Sequence, residues 1–327
     1  MSPILTSQNI SYYPESWYPV CLLSEIKKGK SKAIQLFGTE WLLFRTQSGD
    51  LGMIHRFCPH MGTDLANGKV IGESVECPLH KWRLNADGSR GGNSSSTVNT
   101  AKSLTKHLKV VGKYGIVFAF WGNSPTFELP SFTDVSNPVS SKPAILHLQN
   151  NYLAVILNAF DTQHLTVVHN RIIDGPVNHT QKNPFHLGIH FKVHIRVKNW
   201  RDKLIRRMGM GTSNLQYDCW GGNTILVRSL PAKYLAILTM LPGECDNKSS
   251  FYLVVIRQSK GKNFLTRFLE KIKLSVASYF AMRFLSDDVD VIKNMHPKKG
   301  MLSPDYDQTV TRFWEYLESI PRYIIDK

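Results

Sequence analysis

Two groups of residues in this 327-residue chain have the types and spacing that hold metal ions. The first lies in "CPHMGTDLANGKVIGESVECPLH", residues 58–80, which reads C-x-H-x16-C-x2-H through Cys58, His60, Cys77 and His80. Each cysteine is followed by Pro, which fixes the loop backbone and removes an N–H donor, while Gly62, Gly68 and Gly72 permit tight turns. Two such loops on hairpins, facing each other, suit a two-iron cluster with Cys58 and Cys77 on one iron and His60 and His80 on the other. Four ligands in two tight pairs are also how structural zinc is held, and at this level zinc remains the alternative.

The second group lies in "NAFDTQHLTVVH", where Asp161, His164 and His169 stand as D-x2-H-x4-H. Asp161 and His164 share a helix face, but His164 and His169 are about 140° apart around an ideal helix. Both imidazoles reach one ion only if the helix ends or bulges between them, and the distortion is expected at Leu165 to Val168. Two histidines and one carboxylate form the facial triad of non-haem Fe(II) oxygenases, which leaves open positions for O₂ and substrate. An Asp beside two histidines on an amphipathic helix is also an ordinary satisfied arrangement, and that alternative stays open on these residues alone.

These groups need rigid elements behind them. From Trp17 to about Trp121 the chain consists of short β-like runs, "AIQLFGTEWLLFR", "LGMIHRF", "VIGESVECP" and "YGIVFAFWG", broken by Gly, Asn, Asp and Ser. A Pro- and Ser-rich stretch, residues 122–143, opposes regular structure and suits a connection. Beyond it a helix-like segment carries the second group. Strand-like runs follow at "FHLGIHFKVHIRV", "NTILVRSL", "YLAILTML" and "FYLVVIRQ", with helical stretches at about 263–296 and 306–318. The expected fold is α+β: an all-β domain over 14–125, then an antiparallel sheet with helices over 126–327.

Composition narrows the class. The chain is 42% hydrophobic and 20% charged, ordinary for a folded protein. Five cysteines, Cys21, Cys58, Cys77, Cys219 and Cys245, are odd in number and scattered, unlike a secreted disulfide framework. With no basic, apolar leader and no apolar run of the roughly eighteen residues a span needs, the chain is expected to be cytoplasmic. The formal charge of +15 concentrates at Lys27 to Lys32, at 196–207 and at 257–273. An acidic protein is the expected partner; nucleic acid is ranked last, because no nucleic-acid-binding signature accompanies the charge. In "NFLTRFLEKIKLSVASYFAMRFL", Phe264, Phe268 and Ile272 recur every four residues opposite Arg267 and Lys271. That spacing fits a helix lying on an anionic membrane or one packed on a core; core packing is the reading preferred.

"CPH", "CPLHKW" and the following Asp87-Gly88 give the chain a clear resemblance to the Rieske oxygenases, whose [2Fe–2S] centre replaces two thiolates by imidazoles. "SWYPVCLLSEIKKGK", the cluster loops, "YGIVFAFWG", the D-x2-H-x4-H helix and the "DDVDVIKNM…FWEYL" ending occur in that family's order, so the likeness spans nearly the whole chain. Where the family has Gly after the second cluster histidine, this chain has Lys81. Within the family the chain looks most like the group of 3-ketosteroid 9α-hydroxylase oxygenases and cholesterol 7-desaturases, although Ile292 and Met295 stand where a Trp and a Lys are expected.

The resemblance implies a helix-grip catalytic domain, a mononuclear Fe(II) held by His164, His169 and a carboxylate of "SDDVDVIKNM", best matched by Asp288 with Asp287 next. It makes Asp161 a bridge for electrons rather than a ligand, joining His164 to a cluster histidine, His80, of a neighbouring subunit in a head-to-tail homotrimer. It also implies a separate ferredoxin or reductase that draws on NAD(P)H, because no G-x-G-x-x-G precedes a helix here. The substrate expected is apolar, with polycyclic and steroid-like compounds among the candidates, oxidised with O₂ by hydroxylation, desaturation or demethylation. The alternative is a Rieske-type electron-transfer or iron-binding protein without oxygenase activity.

Overall fold

In the computed structural model, residues 13–91, 103–197, 203, 212–230, 234–243, 248–259, 263–293 and 295–323 are described. By their contacts these divide into two units, one of residues 13–126 with 322–323 and one of 127–321.

The first unit is all β because its short runs alternate and its turns carry glycine. Ser16–Leu22, Ile116–Trp121 and Val110–Lys113 form one antiparallel sheet. Lys30–Leu36, Thr39–Arg45, Leu51–His55 and His107–Leu108 form a second. Trp17, Trp41, Phe44, Phe118, Phe120 and Trp121 are fully buried in this unit. A third sheet, Lys69–Ile71, Ser74–Glu76, Arg83–Leu84 and Arg90–Gly91, carries the second cysteine loop. Leu42, Ile54, Leu65, Val75 and Leu84 pack with Cys58 and Cys77 in one cluster, so the two cysteines are seated in the core of the unit. Near the end of the chain, Arg322 bridges Pro14 and the Tyr323 carbonyl accepts from the Trp121 indole at 3.1 Å.

The second unit is an antiparallel meander of Arg171–Thr180, His186–Ile195, Thr212–Trp220, Thr224–Leu230, Tyr234–Pro242 and Ser249–Gln258. Pro138–Ser140 and Ala144–Leu148 both pair with the last of these strands. Part of the Pro-rich connection is thus strand, with Pro138 at a sheet edge where its missing N–H costs no ladder bond. The helices α1 (Tyr152–Phe160), α2 (Thr162–Val167), α3 (Phe264–Ile292) and α4 (Gln308–Ser319) accompany the sheet. The long α3 lies along Ser249–Gln258 and contacts α1, which gives the helix-grip arrangement.

One expectation is corrected here. Phe268 and Ile272 do not pack into a core: they are 52% and 45% exposed. The inner face of α3 is formed by Leu274, Ser278, Asp288 and Ile292, all buried. A four-residue repeat says that side chains share a face, not which face the sheet covers. The basic run 196–207 lies largely outside the described residues, as do Cys245 and the side chains of Phe264 and Arg267. Cys21, Cys58, Cys77 and Cys219 are free thiols, and among the described residues no helix is long and apolar enough to cross a membrane.

Candidate metal centres

The two cysteine loops of the first unit are built alike. Residues 58–62 close with the Gly62 N–H donating to the Cys58 carbonyl at 2.8 Å, and residues 77–81 with the Lys81 N–H donating to the Cys77 carbonyl at 3.1 Å. A second bond locks each loop to its hairpin: the Cys58 N–H donates to the Thr63 carbonyl at 2.9 Å, the Cys77 N–H to that of Trp82 at 2.7 Å. Both fifth residues take the left-handed conformation, Gly62 at φ 69° and Lys81 at φ 58°. Glycine adopts it freely, whereas a side chain there costs about 1–2 kcal/mol. Lys81 therefore occupies a glycine position, with its ammonium exposed and 3.9 Å from Glu76.

The loops aim backbone N–H groups at the sulfurs. Burial pushes the Cys58 thiol up, opposed by the N–H groups of His60 and Met61. Burial also acts on Cys77, but the N–H groups of Leu79 and His80 and the hydroxyl of Thr63 outweigh it and hold that thiol below its ordinary value. The imidazoles of His60 and His80 lie 4.7 Å apart, and His60 stacks on Trp82 at 4.5 Å, with the Arg90 guanidinium 4.3 Å from the Trp82 ring on which it rests. The cysteines are buried and the histidines exposed. Buried sulfurs with N–H donors, beneath two exposed imidazoles, are a donor set that fits a [2Fe–2S] cluster with one sulfur-bound and one nitrogen-bound iron. Arg56 supports the first loop from below, donating to Asp64 at 2.9 and 2.6 Å and to Glu40 at 2.7 Å, while Asp64 accepts the Ala66 N–H.

In the second unit the helix bearing the histidines is broken twice. α1 stops at Asp161, whose backbone is extended (φ −78°, ψ 101°) and whose carboxylate Oδ1 accepts the N–H groups of Gln163 at 2.8 Å and His164 at 3.3 Å. Asp is a favoured N-cap because it satisfies such orphan donors, and α2 starts from it. α2 ends at Val167, Val168 donates to the His164 carbonyl at 2.8 Å, and Asn170 turns left-handed at φ 53°. His169 thus stands beyond the helix end, and that end, at Val167 and Val168, falls inside the segment Leu165 to Val168 where the spacing demanded a distortion.

Three ligand atoms converge at this place. His164, His169 and Asp288 each offer one, all within 4.8 Å of one another. Asp288 Oδ1 lies 2.7 Å from His169 Nε2 and 3.9 Å from His164 Nε2. His164 Nδ1 donates to the Asp161 carbonyl, which leaves Nε2 as the acceptor that faces Asp288. The expected link between His164 and Asp161 is therefore made by the backbone oxygen, with the carboxylate engaged as a cap. Burial lowers the His164 pKa, opposed by Asp288 and by the Asp161 carbonyl, so the ring is held in the neutral, ligating form. Asp287 instead pairs with Arg283 at 3.4 Å, and Asp290 is exposed. Two nitrogens and one carboxylate on one side fit a mononuclear Fe(II) better than an all-oxygen cation site.

Residues that the sequence did not single out complete the surroundings. Phe284, one turn before Asp288, stacks on His169 at 3.7 Å and 18°. Tyr217 meets Phe191 edge-on at 5.5 Å, and burial, with Arg171 opposing and Asp288 reinforcing, pushes its phenol up to about 12. The only signal for Phe284 was its four-residue step to Asp288; Tyr217, on a strand whose alternation is broken by the buried Asp218, offered none.

Comparison with known proteins places a Rieske domain over the segment that carries the first centre and shows the Rieske-oxygenase fold for the chain. Residues 16–102 match the family described as Rieske [2Fe-2S] domain. The oxygenase component of a 3-ketosteroid-9-alpha-monooxygenase of Rhodococcus rhodochrous is 29% identical over 124 residues, 37% of this chain and 33% of the relative. A cholesterol 7-desaturase of Ciona intestinalis is 29% identical over 178 residues, 52% of this chain and 39% of the relative. The matched segments span about a third of the length of these curated relatives. Among solved structures, the terminal oxygenase of carbazole 1,9a-dioxygenase from Nocardioides aromaticivorans IC177 superposes with a TM-score of 0.67 at 16% identity, covering 96% of this chain and 95% of that one.

Proposed function

We propose that this chain, which carries a Rieske [2Fe–2S] domain and has the fold of the Rieske oxygenases, is the oxygenase component of a Rieske non-haem iron system. The observation that carries the reading is the convergence of His164, His169 and Asp288, drawn from segments 119 residues apart. A protein that only carried electrons would need the first centre and not the second. We assign the Rieske domain to residues 14–125 and the catalytic domain to 126–327, with Cys58, His60, Cys77 and His80 holding the cluster and the three converging residues holding Fe(II).

When bound, the cluster supplies electrons one at a time and the mononuclear iron supplies activation of dioxygen toward a C–H bond. The chain's own residues prepare for this. Cys58 and Cys77 keep their sulfurs in the core, while His60 and His80 present an exposed edge to an electron donor. Met61 and Leu79, 67% and 53% exposed, flank those imidazoles and give a protein partner an apolar contact beside Lys81. The donor is an acidic ferredoxin or reductase that draws on NAD(P)H. Asp161 orients His164 through its carbonyl. Its Oδ2 makes no hydrogen bond among the described residues and is available to His80 of the partner subunit in a head-to-tail trimer. Phe284 stacked on His169 and Tyr217 within electrostatic reach of Asp288, itself against Phe191, put carbon and one phenol beside the centre, which suits an apolar substrate carrying little polar functionality. A steroid-like skeleton is the leading class, on the names of the relatives.

The test is oxygen uptake with a surrogate reductase across a panel of sterols and other apolar polycyclic compounds. Substrate-stimulated uptake that disappears in His164→Ala supports the oxygenase. A cluster that cycles electrons with no oxygen consumed on any compound supports the electron carrier.

A further inference from the structure

α3 is apolar on two opposite faces. At 100° per residue, Leu274, Ser278, Asp288 and Ile292 fall on one arc, and all four are buried. Phe268, Leu269, Ile272, Val276, Tyr279 and Phe280 fall within an arc of about 120° centred on the opposite side. These six are between 45% and 67% exposed. The stripe runs about 18 Å along the helix at 1.5 Å per residue. Contiguous exposed apolar stripes of this kind mark interaction surfaces.

The charges beside the stripe say what covers it. Lys273 falls about 20° beyond one edge of the arc and Lys271 about 60° beyond the other, both exposed, while Arg283, in line with the stripe one turn further on, is paired with Asp287 at 3.4 Å. From residue 263 to 283 the only acid is Glu270, which falls outside the arc and accepts the Ser259 hydroxyl at 2.7 Å. Two further lysines, Lys260 and Lys262, stand just before the helix in the sequence. Over residues 268–280 the stripe has lysines beside it and no acid within its arc, which complements a surface that offers hydrocarbon and negative charge together. A second copy of the same face, paired about the middle of the stripe, would set lysine edges against lysine edges, a like-charge cost that an anionic surface does not carry.

We infer that the outer face of α3 docks the protein on an anionic lipid bilayer, with the six apolar side chains at the headgroup boundary and the lysines at the phosphates. The inner face of the same helix carries Asp288, so the docking surface and the mononuclear centre share one element. This inference stands on the exposure and charge of α3 and does not depend on the proposed reaction.

Sedimentation of the full-length chain with vesicles tests it. Binding should be strong to vesicles of phosphatidylcholine and phosphatidylserine in equal parts, and on the order of tenfold weaker to phosphatidylcholine alone, because each surface lysine contributes about 1 kcal/mol at an anionic membrane. Phe268→Ser/Ile272→Ser/Phe280→Ser should lose binding to the anionic vesicles. Lys271→Glu/Lys273→Glu, which alters only exposed charges, should reduce it to the phosphatidylcholine level. The inference is overturned if the wild-type chain stays in the supernatant with both vesicles, or if both variants bind as the wild type does. It is equally overturned if vesicle-free sedimentation shows a self-association that the apolar triple variant abolishes, since a second copy would then occupy the stripe.

Discussion

Asp288 Oδ1 sits 2.7 Å from His169 Nε2, although 118 residues separate them in the sequence, and it is the only carboxylate of the 287–290 group that faces the two histidines. If this is the third ligand, the wild-type chain should bind about three irons, two of them in the cluster. Asp288→Ala, like His164→Ala or His169→Ala, should lower the count to about two and abolish turnover with the cluster spectrum unchanged. Asp287→Ala should keep all the iron. Metal analysis with electron spin resonance of the reduced protein reads both centres at once, and loss of cluster signal in the Asp288 variant would count against two independent sites.

How much of this was legible in the sequence depended on distance along the chain. Cys58, His60, Cys77 and His80 lie on two hairpins of one small sheet, so their spacing alone described the site. His164 and His169 declared a helix end between them for the same local reason. Asp288 was harder, since three acids crowd one turn and only the register of α3 separates them; Ile292, four residues on and 3% exposed, shares its buried face. The break at Asp161 had a signal, an Asp before Thr-Gln-His, that an unbroken apolar pattern from Tyr152 to Val168 concealed. The outer stripe of α3 was visible as a repeat, but which of two apolar faces meets the sheet is decided by strands from elsewhere in the chain.

Lys81 should carry two separable effects. Lys81→Gly relieves a left-handed side chain and should raise stability by up to about 1 kcal/mol, the strain gained back less the entropy of glycine. It also removes a charge at the exposed edge of the cluster, so reduction by an acidic donor should slow and lose part of its salt dependence. Lys81→Gln keeps the strain, and should slow reduction to the same degree without the gain in stability. Stopped-flow reduction and thermal unfolding, run on both variants, separate charge from backbone.

Asp64 ties the first cluster loop to Arg56, and the Arg56 guanidinium, with burial opposing, holds its carboxyl below the ordinary value of 3.8. A lowered carboxylate pKa contributes stability that is fully present above that ordinary value and is lost as pH falls through the lower, folded one. Cluster absorbance followed downward in pH should therefore hold to about pH 4 and then decline. In Asp64→Asn the loop is weaker at every pH, with a lower thermal midpoint for cluster loss at neutral pH and a flatter acid limb. An unchanged thermal midpoint would mean that Arg56 and Glu40 hold the loop without Asp64.

Asp161 is the residue on which cap, orientation and electron transfer meet, and its two conservative replacements part them. Asp161→Ala removes the N-cap of α2, worth about 1 kcal/mol, but leaves the carbonyl that orients His164. Asn caps nearly as well as Asp, so Asp161→Asn keeps the helix start and removes only the charge. If the carboxylate is a bridge for electrons, both variants should retain both iron sites and bind substrate. Both should lose more turnover than the roughly 10- to 100-fold typical of a lost ligand-orienting partner, with the cluster held reduced. If the carboxylate is a cap alone, Asp161→Asn should turn over as the wild type does, while Asp161→Ala is impaired in proportion to its lost stability. Should Asp161→Ala instead release the mononuclear iron while Asp288→Ala keeps it, Asp161 would be the third ligand and the roles of the two aspartates would exchange. Iron content, substrate binding and the redox state of the cluster under turnover, measured on the same preparations, distinguish the three outcomes.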